Sequence, residues 1–295
     1  MKKILATYLL SLLGFFNLRA ADIDVTADIS ADTTWSASNT YILKDYIFVE
    51  PGATLTIEAG TTIKADVGTA DSAPALIVTQ GAKINAAGTM ANPIIFTSVS
   101  DTGSNLGKDD KGLWGGLIIL GNAPINSNGS SNADNSPLTN TIEGVPTTSG
   151  ISGRSISASY SLYGGTDAAD DSGVLQYVSI RHGGAEIGSG NEINGLTLGG
   201  VGNGTTIDHI EIFANKDDGI EFFGGSANAK YSPLPTLGMT PSTSMKDTTD
   251  TFSSFFPYKM KTPIVPLSGT DPPNRTTVRL TPPPYPIIPL RLSPT

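Results

Sequence analysis

The chain of 295 residues contains no cysteine. Disulfide bonds, thiolate nucleophiles, zinc sites built on cysteine and a lipid-modified cysteine at a signal cleavage site are therefore excluded. Charged residues make up 15% of the sequence and aromatic residues 7%, whereas glycine occurs 33 times. Few charges and many turn formers favour an all-β chain over a helical bundle.

Long hydrophobic runs are missing beyond the N-terminus. The sequence begins with two lysines after Met1, continues with an apolar stretch from Ile4 to Phe16 and reaches a small residue at Ala20. This order is typical of a secretory signal peptide, which we assign to 1–20. The apolar stretch of about 13 residues is shorter than the roughly 20 that a membrane helix needs. We therefore expect export and no membrane span in the mature chain.

Basic residues are scarce in the part of the chain that follows. Between Ala21 and Tyr231 there are 24 acidic residues against 9 basic ones, a net charge of −15. Nucleic acid is excluded as a partner because its phosphates require a basic surface. An acidic surface suits divalent cations, or simply keeps the protein soluble.

A short apolar pattern recurs along the chain. In each copy an apolar residue is followed by two more, three and five positions later, and the last two have the alternate spacing of a short strand with two inward side chains. Glycine, asparagine, aspartate and serine fill the gaps between copies. One such strand and its turn cannot bury an apolar face alone, so the repeat predicts a solenoid of stacked coils. Hairpins are the competing interpretation, but the turns are not of the two-residue Asn-Gly type. The four copies are Trp114-x-x-Leu117-x-Ile119, Leu175-x-x-Val178-x-Ile180, Ile193-x-x-Leu196-x-Leu198 and Ile207-x-x-Ile210-x-Ile212.

Two kinds of segment alternate from Tyr41 onward. Apolar residues alternate with polar ones between the turns Pro51-Gly52 and Ala59-Gly60, which predicts short strands. The stretches 98–111 and 122–173 are polar and poorly periodic, and we interpret them as long loops on one side of the solenoid. Such insertions often form the binding surface of a solenoid.

Four segments combine short apolar strands with glycine-rich turns: Val49-Glu-Pro-Gly-Ala-Thr-Leu-Thr-Ile-Glu-Ala-Gly, Gly112-Leu-Trp-Gly-Gly-Leu, Leu175-Gln-Tyr-Val-Ser-Ile-Arg-His-Gly-Gly and Asp217-Asp-Gly-Ile-Glu-Phe-Phe-Gly-Gly. They resemble segments of secreted bacterial right-handed parallel β-helix proteins of the cell surface. The resemblance covers about Tyr41 to Tyr231 and implies export to the outer cell surface and a β-helix fold. It carries no agreed catalytic residues.

The composition changes abruptly after Tyr231. Residues 232–295 hold 14 of the 20 prolines but only 2 of the 33 glycines. Proline at this density cannot continue a parallel ladder, because each proline removes a hydrogen-bond donor. The predicted organisation is therefore a signal peptide at 1–20, a single-stranded right-handed parallel β-helix at 21–231, and a disordered Pro-rich tail at 232–295.

The genetic code suggests a cause for this change. When the third base of each codon is joined to the first two of the next, Leu237 to Thr248 can encode Trp-Asp-Asp-Ser-Phe-Asp-Ile-Asp-Glu-Gly-Tyr. An acidic coil of this kind is what the resemblance leads us to expect next. We therefore predict that the tail is translated out of frame after a one-base slip shortly before Leu237. The alternative is a Pro-rich linker or cell-wall spacer.

Four carboxylates form the candidate site: Glu186, Asp217, Asp218 and Glu221. An alignment of Ile180 with Ile212 places Glu186 opposite Asp218, and equivalent residues of adjacent coils lie about 4.8 Å apart. Carboxylates at that distance can share a hard cation such as calcium, or raise one another's pKa. A solvated acidic turn in an acidic protein is the other interpretation, and both stay open.

Two functions remain compatible with these observations. The first is a non-enzymatic structural, adhesive or glycan-binding protein of the cell surface, with an extracellular glycan as its partner. The second is a calcium-dependent polysaccharide lyase or a glycoside hydrolase acting through the four carboxylates. We favour the first, because we expect no basic residue beside the carboxylates and find few aromatic residues in the long loops. If the tail is out of frame, the chain is a truncated product.

Overall fold

The computed structural model describes residues 21–125, 138–188, 191–230, 242–246 and 276–279. The described residues form short strands joined by turns, with 3₁₀ turns at Ala70–Ser72 and Ala158–Ser161 and no α-helix. The strands are β1 (Ala21–Val25), β2 (Thr33–Trp35), β3 (Asn39–Leu43), β4 (Tyr46–Val49), β5 (Thr54–Ile57), β6 (Thr62–Ala65), β7 (Ala75–Val78), β8 (Lys83–Ala87), β9 (Ile94–Ser98), β10 (Leu117–Leu120), β11 (Asn140–Thr141), β12 (Leu162–Tyr163), β13 (Gly173–Arg181), β14 (Glu186–Gly188), β15 (Asn191–Glu192), β16 (Leu196–Gly199), β17 (Thr206–Phe213), β18 (Ile220–Phe223), β19 (Asn228–Lys230), β20 (Ser242–Lys246) and β21 (Thr276–Arg279).

The strands wind into a parallel β-helix with three faces. The first face consists of β2, β5, β8, the first halves of β13 and β17, and β19. The second face consists of β1, β3, β6, β9 and the second halves of β13 and β17. The third face consists of β4, β7, β10, β16, β18 and β20. Successive strands of each face pair in parallel, so the predicted all-β solenoid is confirmed.

Apolar side chains stack in straight columns inside the coils. Because strand side chains alternate between the two sides, every second residue of the third face points inward. The result is a continuous core whose members are almost inaccessible to solvent. Two inward columns of the third face are Ile47, Leu76, Leu117, Leu196 and Ile220, and Val49, Val78, Ile119, Leu198 and Phe222.

The apolar triplet proves to occur on two different faces. Leu175 pairs with Ile207 on the first face, whereas Leu117 pairs with Leu196 on the third. One turn of the helix therefore contains the pattern twice, which is why the copies alternate at unequal spacings. Ile193 is the exception in orientation, because it packs in a second cluster outside the coils.

Two corners of the later coils each depend on a single left-handed residue. Tyr177 and His209 face each other in adjacent coils with φ of 48° and 54°, and they divide β13 and β17 between the first and second faces. At the next corner His182 faces Ala214, with φ of 61° and 55°. One residue with positive φ turns the chain sharply, so the corner needs no loop.

The long segment after β10 lies across the outside of the third face. We call its described part, residues 138–165, the strap. Ile142, Ile156 and Tyr163 of the strap pack with the outward-facing Phe48 and Ile77 in the second apolar cluster. The third face is therefore buried on both sides, and this loop covers the solenoid where an extended loop leaving it was expected.

Several predictions fall outside the described residues or remain untested. The predicted signal peptide lies wholly outside them. Of the tail, the structure describes β20, which pairs in parallel with β18, and β21, which pairs antiparallel with β20. The rest of 232–295 is not described, so the prediction of an out-of-frame, unstructured tail stays a prediction. In the described part of the chain, no helix has the length and apolar character needed to cross a bilayer.

Candidate functional site: the loop-built corner

Five loops meet where the second face turns into the third. We call this region the loop-built corner; it comprises residues 66–73, 99–116, 149–153, 182–188 and 214–219. Main-chain hydrogen bonds join the loops in sequence: Gly68 N–H to Leu113 O at 2.9 Å, Gly112 N–H to Gly183 O at 2.8 Å, and Lys216 N–H to the same oxygen at 3.0 Å. The insertions therefore form one continuous surface along this edge.

The first long loop is fixed to the corner at both of its ends. The Thr97 hydroxyl and the Gly103 N–H donate to the Asp101 carboxylate at 2.8 and 2.7 Å, and Lys64 Nζ donates to the Asp101 carbonyl at 2.7 Å. Burial alone would raise the pKa of Asp101, but these hydrogen bonds and the nearby His182 and Lys64 charges outweigh burial and lower the pKa.

The far end of the same loop is held by His182. Its Nδ1 lies within hydrogen-bond distance of the Asp110 carbonyl, and its ring meets the Phe213 ring edge-on at 5.6 Å. Trp114 follows this loop and is fully buried, with Nε1 donating to the Arg181 carbonyl at 2.8 Å. The polar, Gly-rich loop is thus fixed to the coils by specific contacts at both of its ends.

Glu186 lies on the exposed hairpin of β14 and β15. Its Oε2 pairs with Lys216 Nζ at 3.0 Å, and both side chains are nearly half exposed. The expectation that no basic residue accompanies the carboxylates is therefore wrong: the lysine directly before Asp217 reaches back to Glu186. Both groups are satisfied by this ion pair, which is worth little in an exposed position.

The predicted alignment of Glu186 with Asp218 is also wrong. The Gly195 N–H donates to the Asp218 carbonyl at 3.1 Å and Leu196 pairs with Ile220, so the residue opposite Asp218 is Asn194. Glu186 belongs to an inserted hairpin that has no counterpart in the alignment. Asp217 and Asp218 lie half-buried in the turn between β17 and β18.

Glu221 has surroundings quite different from those of the other three carboxylates. It projects outward from β18, is only 2% exposed, and accepts a hydrogen bond from Asn194 Nδ2 at 2.6 Å. Among the described residues, no three histidine, aspartate or glutamate side chains are grouped so that they could hold a metal ion. A calcium site made by these four carboxylates stays a prediction.

Arg181 and the two histidines lie along the second face or at its corners. Arg181 donates from Nε to the Ser179 hydroxyl at 2.7 Å and from Nη2 to Glu211 Oε2 at 3.2 Å. Arg181 is therefore held against its own strand and against Glu211 of the adjacent coil. The two histidines occupy different coil positions, since His182 faces Ala214 whereas His209 stacks on Tyr177 with ring centroids 4.2 Å apart.

Aromatic side chains that could stack on sugar rings are mostly used in packing. Phe222 lies in the core, and Tyr163 packs edge-on against Phe223 at 6.1 Å in the second apolar cluster. Tyr160 and Tyr177 are half-buried. Phe222 thus packs within the coils, and Tyr163 packs between the strap and the third face.

Arg154 has several polar partners in the described part of the chain, and it was not among the candidates predicted from the sequence. Arg154 of the strap binds Asp28 with Nη1 at 2.8 Å and Nη2 at 3.1 Å, and its Nε lies 3.5 Å from Asp45 Oδ2. A signal was present, since Arg154 is the single basic residue between 112 and 180 of an acidic chain. Its partners are more than a hundred residues away in sequence, which no local pattern reveals.

Comparison with known proteins identifies the family. A sequence model of the pectate-lyase-like β-helix domain matches residues 27–236, well over half of the chain. Comparisons with curated proteins and with solved structures each gave no match. The matched range contains strands β2 to β19 in full. The chain therefore belongs to the family of pectate-lyase-like β-helix domains.

Proposed function

We propose that the chain is an exported bacterial β-helix protein that acts at the outer cell surface without catalysis. Its coils form a scaffold that presents the loop-built corner to an extracellular glycan or to a neighbouring surface. Support for export comes from the N-terminal sequence pattern, which is typical of a secretory signal peptide.

One observation carries the non-catalytic part of the proposal. Glu186 is paired with Lys216 at the surface, whereas Glu221 is buried beside Asn194. Glycosidases need two carboxylates facing one sugar linkage, and these two face different surroundings. Arg181, which a lyase would need as a base, is bound to Glu211. The family itself leaves the chemistry open, because a fold does not determine an activity.

The alternative is a calcium-dependent polysaccharide lyase or a glycoside hydrolase, and the family match is the observation that favours it. Incubation of the mature chain with acidic and neutral polysaccharides, with and without calcium, separates the two. We expect binding to one class of glycan in a retention assay and no release of unsaturated or reducing ends. Turnover that Glu186→Gln or Glu221→Gln abolishes would contradict the proposal.

Calcium and export can be tested separately. Calorimetric titration of the mature chain with calcium, compared with the Asp217→Asn and Asp218→Asn variants, decides whether these carboxylates bind the ion. For export, fractionation of the producing cell followed by N-terminal sequencing should yield a surface-associated chain that begins at Ala21. A cytoplasmic chain that retains residues 1–20 would refute the localisation.

A further inference from the structure

We infer that the strap is a separable lid, held closed over an apolar face of the β-helix by the cluster of ion pairs and hydrogen bonds around Arg154. The inference concerns a conformational device and does not depend on the proposed function. It rests on what the strap covers, on what holds it and on where its backbone can turn.

The strap covers a row of side chains that would otherwise face solvent. Phe48, Ile77 and Ile118 project outward from adjacent strands of the third face, and each is fully buried. The next positions in the same row are Thr197 and Glu221. The row is thus apolar beneath the strap and polar further along, where Thr197 and Glu221 are also buried, each 2% exposed.

Polar groups of the strap contact two carboxylates near the N-terminal end of the β-helix, Asp28 between β1 and β2 and Asp45 between β3 and β4. Asp45, which is only 4% exposed, accepts from the Ser149 hydroxyl and the Ser152 hydroxyl, each at 2.5 Å. Arg154 spans Asp28 and Asp45 and also donates to the Tyr46 carbonyl. The donors come from the strap and the acceptors from the coils, so these contacts hold two separate elements together.

A second contact strengthens the same arrangement. The Tyr160 ring packs on the Phe48 ring at 5.0 Å, and its hydroxyl is hydrogen-bonded to Glu50. Burial and this hydrogen bond raise the pKa of Tyr160. The Arg154 guanidinium lies 5.5 Å from the centre of the Phe48 ring, so the cation also covers the aromatic face.

The backbone of the strap has positive-φ glycines on both sides of these contacts. Gly144 has φ of 83° and Gly164 has φ of 96°. The Gly164 N–H donates to the Gly121 carbonyl at 2.9 Å, and Gln80 Nε2 donates to the Gly164 carbonyl at 2.8 Å, which fixes this end to the coils. Glycines at element ends absorb the dihedral changes of a hinge, so the segment between them can move without disturbing the coils.

The experiment uses Asp28→Asn and Asp45→Asn, which keep Arg154 as a trypsin site. In the full chain, the ion pairs protect the Arg154–Ser155 bond, and we expect each variant to increase native-state trypsin cleavage there at least about tenfold. Amide exchange should accelerate in 145–163 while β7 (Ala75–Val78) stays protected. Binding of an apolar dye should increase in parallel as Phe48 and Ile77 become accessible.

Asp171→Asn is the matched control, because Asp171 forms an exposed ion pair with Lys83, with Nζ and Oδ2 2.6 Å apart. This ion pair does not involve the strap. This variant should leave cleavage at Arg154 unchanged. Unaltered cleavage and exchange in both Asp28→Asn and Asp45→Asn would overturn the inference. So would exchange that accelerates equally in the strap and in β7, because the strap would then unfold only together with the coils.

Discussion

At the scale of single residues, the direction in which a side chain points decides its role. On β17 (Thr206–Phe213), Ile207 and Ile210 point into the coils and are fully buried, whereas Thr206 faces solvent. Neighbouring positions of one strand therefore differ in which substitutions they tolerate. The inward columns are close-packed like other protein interiors, so they admit neither charge nor a large change in volume.

Ile210→Asp tests this assignment. A buried charge without a partner costs several kcal/mol, about 3–5 by comparison with broken buried ion pairs. We expect denaturant titration to show the loss of a cooperative folded state. Thr206→Asp places the same charge on the outer side of the same strand and should change the free energy of unfolding by less than about 0.5 kcal/mol. Equal effects of the two changes would mean that the inward assignment is wrong.

Ala70 tests the cost of a left-handed residue at a corner. It is exposed and has φ of 54°, a region in which an alanine is strained by about 1–2 kcal/mol. Ala70→Gly should raise the free energy of unfolding by about 1 kcal/mol. Ala87→Gly, at an exposed position of strand β8 (Lys83–Ala87), should lower it by roughly 0.5–1 kcal/mol. Thermal unfolding of both variants provides the comparison, and a loss of stability in Ala70→Gly would contradict the strain.

At the scale of elements, the loops are fixed by specific side chains. The loop after β9 (Ile94–Ser98) depends on Asp101, whose carboxylate accepts from Thr97 and from Gly103. Because the pKa of Asp101 is lowered in the folded chain, its ionised form stabilises the fold above the ordinary value of 3.8. This contribution is lost as the pH falls through the lowered pKa.

Asp101→Asn should therefore remove part of the loss of folding stability that the parent chain shows at acidic pH. The variant should be less stable than the parent at neutral pH, and the difference should shrink as the pH falls below 3.8. Denaturant titrations at a series of pH values measure it. Asp109→Asn, in the same loop but exposed, is the control and should follow the parent at every pH. A constant difference between Asp101→Asn and the parent would disprove the link to ionisation.

The strands were predictable from the sequence and the strap was not. Leu55 and Ile57 alternate with polar residues between two turns, and such local alternation is sufficient to place β5 (Thr54–Ile57). The strap is fixed by Arg154 and Asp28, which are 126 residues apart. Glu186 was misplaced for a related reason: an inserted hairpin shifts the alignment of adjacent coils, and composition alone does not reveal where an insertion begins.

At the scale of the whole molecule, the question is what lies beyond the last coil. β18 (Ile220–Phe223) pairs with β20 (Ser242–Lys246), and the sequence around β20 is the part that can encode an acidic coil in another frame. A parallel ladder that continues beyond an ordinary coil needs inward apolar residues and glycine-rich turns. A polar terminal coil would protect the edge from association with other chains.

Resequencing of the DNA that encodes Ala229 to Thr248 tests the frame. We expect that one inserted or deleted base before Leu237 restores a reading frame with glycine-rich coils. The chain translated from the restored frame should unfold at a higher temperature and form fewer aggregates than the chain described above. If no single-base change restores such coils, the tail belongs to the protein and serves as a Pro-rich spacer.

The strap also determines how the molecule would respond to a mechanical load. Hydrogen bonds between coils run along the axis, so a pull on the two ends would detach one coil after another. A coil of 29 residues, the distance from Leu55 to Ile84, would release about 100 Å of chain at each step. Arg154 ties Asp28, which lies between β1 and β2, to a segment that follows β10. The N-terminal end of the β-helix is therefore tethered, and under tension its coils would detach only after the contacts of Arg154 break.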